Sequence, residues 1–360
     1  MKREQKHFML SPSVLKALRE SSGYSIEEVA KRLGVSVETI AQAEETGFAL
    51  SLAHIERLAS VYKRPLVAFF SDSIGGLPTL VDYRVNREKR LSPHVYIAQR
   101  RARYLAEKIK ELSDRRTQIP RFPAKMVPEA LARDFRAKLG VPVLKRLAPH
   151  KLLSEYKRLL EDRLTVLIIE YPFKADDVRG FSIFSDVCAI VLNEEDKPSI
   201  KLFSLFHEVC HLLQKTGGIC SLELEGEGET ESYCNRFAAE FLVPLDDLKK
   251  ELKRFERVDE EVAGRLSETY GVSKQVIMLR LLWARHIDAA RYAQFKSALQ
   301  GLVQSGFGRR SWEKTYLNRA GNLAIQEVRR AYIDGTISFH EAVGILGLKA
   351  KYAEKVLAEP

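Results

Sequence analysis

The stretch Phe206-His207-Glu208-Val209-Cys210-His211-Leu212-Leu213 constrains this chain more than any other. Large apolar residues, Phe203 included, surround two histidines and a glutamate. The apolar residues call for burial, and buried imidazoles and carboxylates are costly unless they have partners. A helix resolves the conflict. It turns about 100° per residue, so positions four apart project from one face. His207 and His211 then point the same way and can share one cation. The segment is expected to be a buried helix whose polar face meets a second, ligand-bearing element.

Neutral imidazoles suit zinc, and a catalytic zinc site needs a third protein ligand and one open position. Manganese is the alternative occupant. The carboxylates that follow in the chain are Glu223, Glu225, Glu227, Glu229 and Glu231. Thr230 is placed to cap a helix through ESYCNRFAAEFL, which would hold Glu231 on regular backbone in its first turn. The glutamates of the GEGE loop, 226–229, lie on backbone that positions a ligand less well. The expected ligands are His207, His211 and Glu231, with Cys234 as a softer alternative. Glu208 sits beside the pair, close enough to reach a bound water rather than the ion. Zinc lowers the pKa of such a water to about 7. Glu208 can take its proton and pass it to a leaving amine.

The rest of the chain reads as α+β and mostly helical. Strands are expected at 164–170, 180–184 and 187–192, a small three-stranded sheet preceding the motif helix. Strand 187–192 is expected at the edge, where a substrate peptide could pair with it. No apolar run approaches the roughly 18–20 residues that span a bilayer, and MKREQKHFMLSPSVLK lacks a signal-peptide apolar core. A cytoplasmic location without membrane contact is the expectation. Four cysteines, Cys188, Cys210, Cys220 and Cys234, fall around the motif and read as small buried residues rather than disulfides.

Residues 11–70 carry a run of helix signals. Ser11-Pro12 opens one helix, Ser25 and Glu28 form a capping box for a second, and Gly34-Val35-Ser36 is a tight turn into a third. Helix, glycine turn, helix is the helix-turn-helix plan. Its second helix would present Ser36, Val37, Glu38, Thr39 and Gln42 to the major groove. That helix carries Glu38, Glu44 and Glu45 and no Lys or Arg, which opposes phosphate contact. The formal charge of the chain is +10, concentrated in residues 81–160, with 21 Lys/Arg against 8 Asp/Glu. Such a block attracts a polyanion or forms a solvated helix face.

IEEVAKRLGVSVETIAQAEETG with SLAHIERLASVYKRPLVAFF resembles the helix-turn-helix domain of the lambda-repressor-like (XRE) regulators. The order AIVLN, LFSLFHEVCHLL, ETESYCNRFAAEFLVP resembles the ImmA/IrrE family of zinc metallopeptidases. That resemblance implies His207, His211 and Glu231 as zinc ligands and Glu208 as catalytic base. Cys210 departs from it, standing where glycine or alanine is usual. The implied organisation is an XRE-type domain at 1–75, a basic helical linker at 76–120, a zincin-like core at 121–255, and a helical region at 256–360, with Gly75-Gly76-Leu77-Pro78 reading as linker across the first boundary. Within the last, EEVAGRLSETYGVSKQVI echoes EEVAKRLGVSVETI and reads as a second helix-turn-helix-like segment or a common way to pack two short helices.

The resemblance implies a zinc-dependent, site-specific endopeptidase that regulates transcription by cleaving a helix-turn-helix repressor or related partner, recruited by its N-terminal domain to DNA or to that repressor. The competing class is a DNA-binding regulator or antitoxin-like repressor whose HExxH site senses metal or is inactive. An oligomer is compatible with both. His150, His286 and Tyr233 are weaker candidates for transition-state assistance. Trp283, Trp312 and Tyr316 read as core, and Ser338 with Glu341 as the capping box of a late helix.

Overall fold

The computed structural model describes residues 7–47, 49–71, 91–123, 125–174, 178–215, 219–221, 228–300 and 311–358, with the backbone alone for 219–221, 299 and 300. The expected linker at 75–78, the turn residues Asp176 and Asp177, Glu223, Glu225, Glu227 and the Cys220 side chain lie outside that description. The chain divides into two units, Met1–Arg101 with Pro172–Ala175, and Ala102–Tyr171 with Asp176–Pro360.

In the first unit β1 (His7–Phe8) pairs antiparallel with β2 (Leu50–Ser51). Around them stand α1 (Pro12–Glu20), α2 (Ile26–Leu33), α3 (Val37–Glu45), α4 (Leu52–Tyr62) and a 3-10 turn, Leu66–Phe70. Leu15, Leu18, Val29, Leu33, Ile40, Ile55, Leu58 and Phe69 form its core. The capping box at Ser25 and Glu28 starts α2 as expected. Gly34 ends it at φ +74°, a left-handed conformation that favours glycine. Ser36 then caps α3 by accepting from the Thr39 amide. Local chemistry alone thus produces the helix-turn-helix pair. Arg19 of α1 grips the Glu44 carboxylate with both arms, Nε at 2.7 Å and Nη2 at 2.8 Å. Glu44 therefore joins α3 to α1 and does not belong to the acidic outer face, which retains Glu38 and Glu45.

The basic stretch is helical, as α5 (Pro93–Ser113). Part of its charge is structural. Arg100 donates to the Tyr62 and Lys63 carbonyls at 2.6 and 3.0 Å, which closes the C-terminus of α4. A Cβ on Gly23 would collide with the Tyr96 ring of α5, so glycine is required there.

The second unit begins its helical layer with α6 (Pro128–Leu139) and α7 (Pro149–Leu164). The sheet comprises β3 (Leu167–Tyr171), β4 (Val178–Ile183), β5 (Ala189–Asn193) and β6 (Ile219–Ser221), in the order β3-β5-β4-β6. β5 runs parallel to β3, and β4 is antiparallel to both β5 and β6. The three expected strands are present, and β6 adds a short fourth. β3 starts later than expected because Leu164 completes α7 and Thr165 turns left-handed behind it. The edge-strand expectation for 187–192 is overturned: β5 is paired on both sides and has no free backbone for a substrate.

Between β5 and β6 lies α8 (Pro198–Gln214), followed by α9 (Glu229–Leu242) and α10 (Leu245–Leu252). Then come α11 (Glu260–Tyr270), α12 (Lys274–Trp283), α13 (Ala289–Gln300), α14 (Trp312–Ala320), α15 (Asn322–Ile333), α16 (Phe339–Leu346) and α17 (Ala350–Ala358). α11 and α12 repeat the local form of α2 and α3, with Gly271 at φ +68° and Ser273 as cap. Val276 through Leu281 of α12 are all buried, however, so this pair packs the core and presents no reading face. Trp312 departs from the core expectation. It opens α14 and is 71% exposed, while Tyr316 one turn on is half-buried against Tyr352. The capping box of Ser338 and Glu341 forms as expected.

Candidate metal centre

α8 is buried along its length from Lys201 to Leu212. Proline at its first turn and apolar residues on every side make it the central rod of the second unit. Phe206 stacks on Phe241 of α9 with centroids 3.9 Å apart and meets Tyr156 of α7 edge-on at 4.9 Å. These rings fix α8 against α9.

α9 starts two residues earlier than the sequence suggested. Gly228 occupies the cap position, so Thr230 lies inside the first turn. Its far end is closed by two buried arginines. Arg136 of α6 donates to the Glu240 carbonyl at 2.9 Å and to the Phe241 carbonyl, and Arg280 of α12 donates to the Val243 carbonyl at 3.0 Å. Helix carbonyls left over where Pro244 breaks the helix thereby find partners. Arg280 also pairs with Glu240. The sequence held no signal for this clamp, because Arg136 lies 104 residues and Arg280 lies 37 residues from carbonyls they serve.

Against this frame the polar groups converge. His207 Nε2 lies 3.1 Å from Glu231 Oε2, His211 Nε2 lies 3.4 Å from Glu231 Oε1, and the two Nε2 atoms are 3.1 Å apart. The three groups have ligand atoms within 4.8 Å of one another. Among the described candidates Glu231 is the one that meets the histidines, while Glu229 is exposed at the start of α9. His207 Nδ1 donates to Asn235 Oδ1 at 2.8 Å, which leaves Nε2 as a lone pair. Asn235 follows Glu231 by four residues, one turn along the same helix face, the same spacing that joins the histidines.

Acceptor atoms this close repel unless positive charge sits among them. The protonation tendencies agree. Burial opposes charge on His211, but its bonds to Cys234 and Glu231 outweigh that and raise its pKa. Burial likewise opposes charge on Glu231, yet the two histidines hold it well below the usual carboxylate range. Two imidazoles and one carboxylate, with Glu231 about a quarter exposed at the mouth, fit a divalent ion with room for a further ligand.

Glu208 is 1% exposed and its Oε2 has no hydrogen-bond partner. Burial raises its pKa. It lies against β4, where a Cβ on Gly180 would stand 3.4 Å from its Cγ and Oε1 and 3.2 Å from the Val191 carbonyl. Glycine at 180 leaves room for the carboxylate. Tyr233 is turned elsewhere, donating to the Met126 carbonyl at 2.6 Å, and His150 and His286 are exposed. Cys234 is completely buried on α9 and stands outside the three-ligand cluster.

Residues 161–282 match the family model of the IrrE N-terminal-like domain, Peptidase_M78, and residues 15–69 match a helix-turn-helix model, HTH_3. Over these two segments the chain is similar to an IrrE/ImmA-like metallopeptidase domain and to an XRE-type helix-turn-helix domain. The first match runs from the end of α7 into α12 and contains the sheet, α8 and α9. The second contains α2 and α3. No curated protein matches the chain. Among the described residues no helix is long and apolar enough to cross a membrane.

Proposed function

We propose that this protein is a zinc-dependent, site-specific endopeptidase that regulates transcription by cutting a protein partner, of which a helix-turn-helix repressor is the expected kind. The observation that carries the reading is the meeting of His207, His211 and Glu231 beside a buried Glu208 with an unpartnered oxygen. Those three residues would hold zinc, or manganese in its place, which would supply Lewis acidity toward a water and a peptide carbonyl. Glu208 carries the proton. Its Oε2 accepts from the attacking water and donates to the amide nitrogen as the peptide bond breaks. Asn235 holds His207 in the tautomer that leaves Nε2 as a donor to the ion. Gly180 lets the Glu208 side chain lie flat on β4.

The helix-turn-helix unit recruits the peptidase. Ser36, Val37, Glu38 and Gln42 are exposed on α3 and Thr39 is half-buried, so this face is open to a DNA duplex or to the partner. Candidate repressors incubated with the protein should be cut at one site. Chelator and Glu208→Gln should each abolish cutting, with metal content of the variant unchanged. Cutting that persists in Glu208→Gln removes Glu208 from this role, and cutting that persists in chelator removes the metal.

A further inference from the structure

The face of β4 that looks at α8 carries small residues. Gly180 lies on it, since a Cβ there would stand 3.4 Å from the Glu208 Cγ and Oε1. Strand residues two apart share a face, so Ser182 follows Gly180 on this side, and Phe181 and Ile183 take the other. The pairing across the sheet agrees. Gly180 pairs with Leu192 and Ser182 with Ile190 of β5. Leu192 and Ile190 belong to the core that also holds Leu205, Phe206 and Val209 of α8. Ser182 is 2% exposed, and its Oγ has no hydrogen-bond partner among the described residues. Glu208 Oε2 is in the same condition. Two orphan oxygens thus stand on facing elements, β4 and α8. A buried hydroxyl without a partner costs stability, whereas an apolar side chain at 182 would carry no such cost. Packing alone therefore does not account for a serine here. Ser182 is also among the groups that draw the Glu208 pKa down against burial, which sets the hydroxyl within electrostatic reach of the carboxyl.

We propose that Ser182 is a positioning residue for Glu208, its hydroxyl donating to Oε2 in the working site and fixing the direction in which the carboxylate faces the cluster. The proposal rests on the reading of Glu208 as the base of a peptidase. A carboxylate oxygen has two lone pairs. The serine takes one and leaves the other for the attacking water. Gly180 gives the carboxylate room but offers it no side-chain bond, so Ser182 is the residue of β4 able to orient it. Hydrogen bonds of this kind are often long or poorly aligned in a resting site and close when substrate enters. That matches two oxygens on facing elements that are both still unpaired. Ser182 thereby serves the base as Asn235 serves His207. The sequence feature behind it is Gly180-Phe181-Ser182, where the two small residues alternate with a large one.

The test uses the full chain with zinc, a fluorogenic peptide library as substrate, and thermal melting with and without the metal. Ser182→Ala should lower kcat at least about ten-fold, the scale of a misplaced reacting group. KM and zinc content should stay at the wild-type level, because the bond is made only as the reaction proceeds. Its melting temperature should be unchanged or higher, since the variant removes a buried hydroxyl that has no partner. Ser182→Cys keeps the size of the side chain with a weak donor and should remain close to the Ala variant. Ser182→Thr keeps the hydroxyl and should recover most of the loss. If the Thr variant does not fold, Ala and Cys decide. Wild-type kcat in Ser182→Ala overturns the proposal. So does wild-type kcat in Ser182→Cys, which would make size the requirement, or a Thr variant that folds without recovery. A clearly lower melting temperature in Ser182→Ala also overturns it, by making the serine structural. Zinc lost in step with activity would place its action on the ligands instead and overturns it too. Wild type that cuts no peptide is a different result: it removes the peptidase reading, and the role of Ser182 falls with it.

Discussion

The His207 Nδ1 atom and the Asn235 Oδ1 atom lie 2.8 Å apart across the α8–α9 interface, both buried. This bond decides which ring nitrogen carries the proton. Asn235→Ala should remove it and free the ring to rotate or change tautomer. Zinc affinity is expected to fall about 10- to 100-fold, with the far-ultraviolet dichroism unchanged. Asn235→Asp keeps an acceptor and should lose less. Chelator competition on the three proteins is the measurement. Equal affinity in all three would leave Asn235 without a role at the site.

Gly180→Ala tests the floor under Glu208. The added Cβ meets the Val191 carbonyl at 3.2 Å and Glu208 at 3.4 Å. The backbone of β4 is held by β5, so the side chain of Glu208 is the part that yields. Displacing a reacting group by about 1 Å can cost on the order of 100-fold in rate. Cleavage of a peptide substrate should therefore fall at least about ten-fold, while zinc content stays at the wild-type level. A variant that loses zinc in proportion to activity would mean that Gly180 acts on the metal ligands instead.

The parts of this molecule that were legible in the sequence are those set by local chemistry. The capping boxes at Ser25 and Ser338, the left-handed glycine at position 34 and the four-residue spacing of His207 and His211 each need only a few neighbours. Glu231 was reachable because a first-turn carboxylate on a regular helix is well placed. What was missed depends on long-range packing. β5 looked like an edge because the sequence shows strand order along the chain, whereas β3 and β4 flank it in space. Glu44 looked like part of the acidic outer face because Arg19, its partner, is 25 residues away. The clamp of Arg136 and Arg280 on the end of α9 has the same character.

That placement of Glu44 separates two otherwise similar substitutions on α3. Its side chain is 7% exposed and paired with an Arg19 side chain that is 10% exposed. Glu44→Ala strands a largely buried guanidinium and should destabilise the first unit by about 3 kcal/mol, read as a lower melting temperature or faster proteolysis of that unit. Glu38→Gln, on the exposed face, should leave stability within about 0.5 kcal/mol. It should instead tighten duplex binding a few-fold in a gel-shift at low salt and lose that gain as salt rises. Equal binding before and after the Glu38 change, at every salt concentration, would argue that this face meets protein rather than DNA.

Glu161 links pH to stability. It is 1% exposed on α7, and its Oε1 accepts from the Leu323 amide at 3.3 Å, at the start of α15. Gly321 before that helix offers no side-chain cap, and a Cβ there would meet the Ile168 carbonyl of β3 at 2.9 Å. Burial is the main influence on Glu161 and pushes its pKa up to about 7, although Lys157 and the amide bond pull it down. A raised carboxyl pKa means that the folded state holds its proton more tightly than the unfolded state. The resulting stability is fully present below about pH 4.5 and is lost as pH rises through about 7, a change on the order of 3 kcal/mol. Glu170 runs the other way. Burial opposes its charge, but Lys157 and Lys201 hold it down at about 2, so its contribution is lost only below about pH 4.5. Glu161→Gln should therefore flatten the fall in stability between pH 5 and 8 and leave the acid limb unchanged. Chemical denaturation of both proteins at pH 5, 6, 7 and 8 measures the difference. Parallel curves across that window would mean that Glu161 does not titrate there.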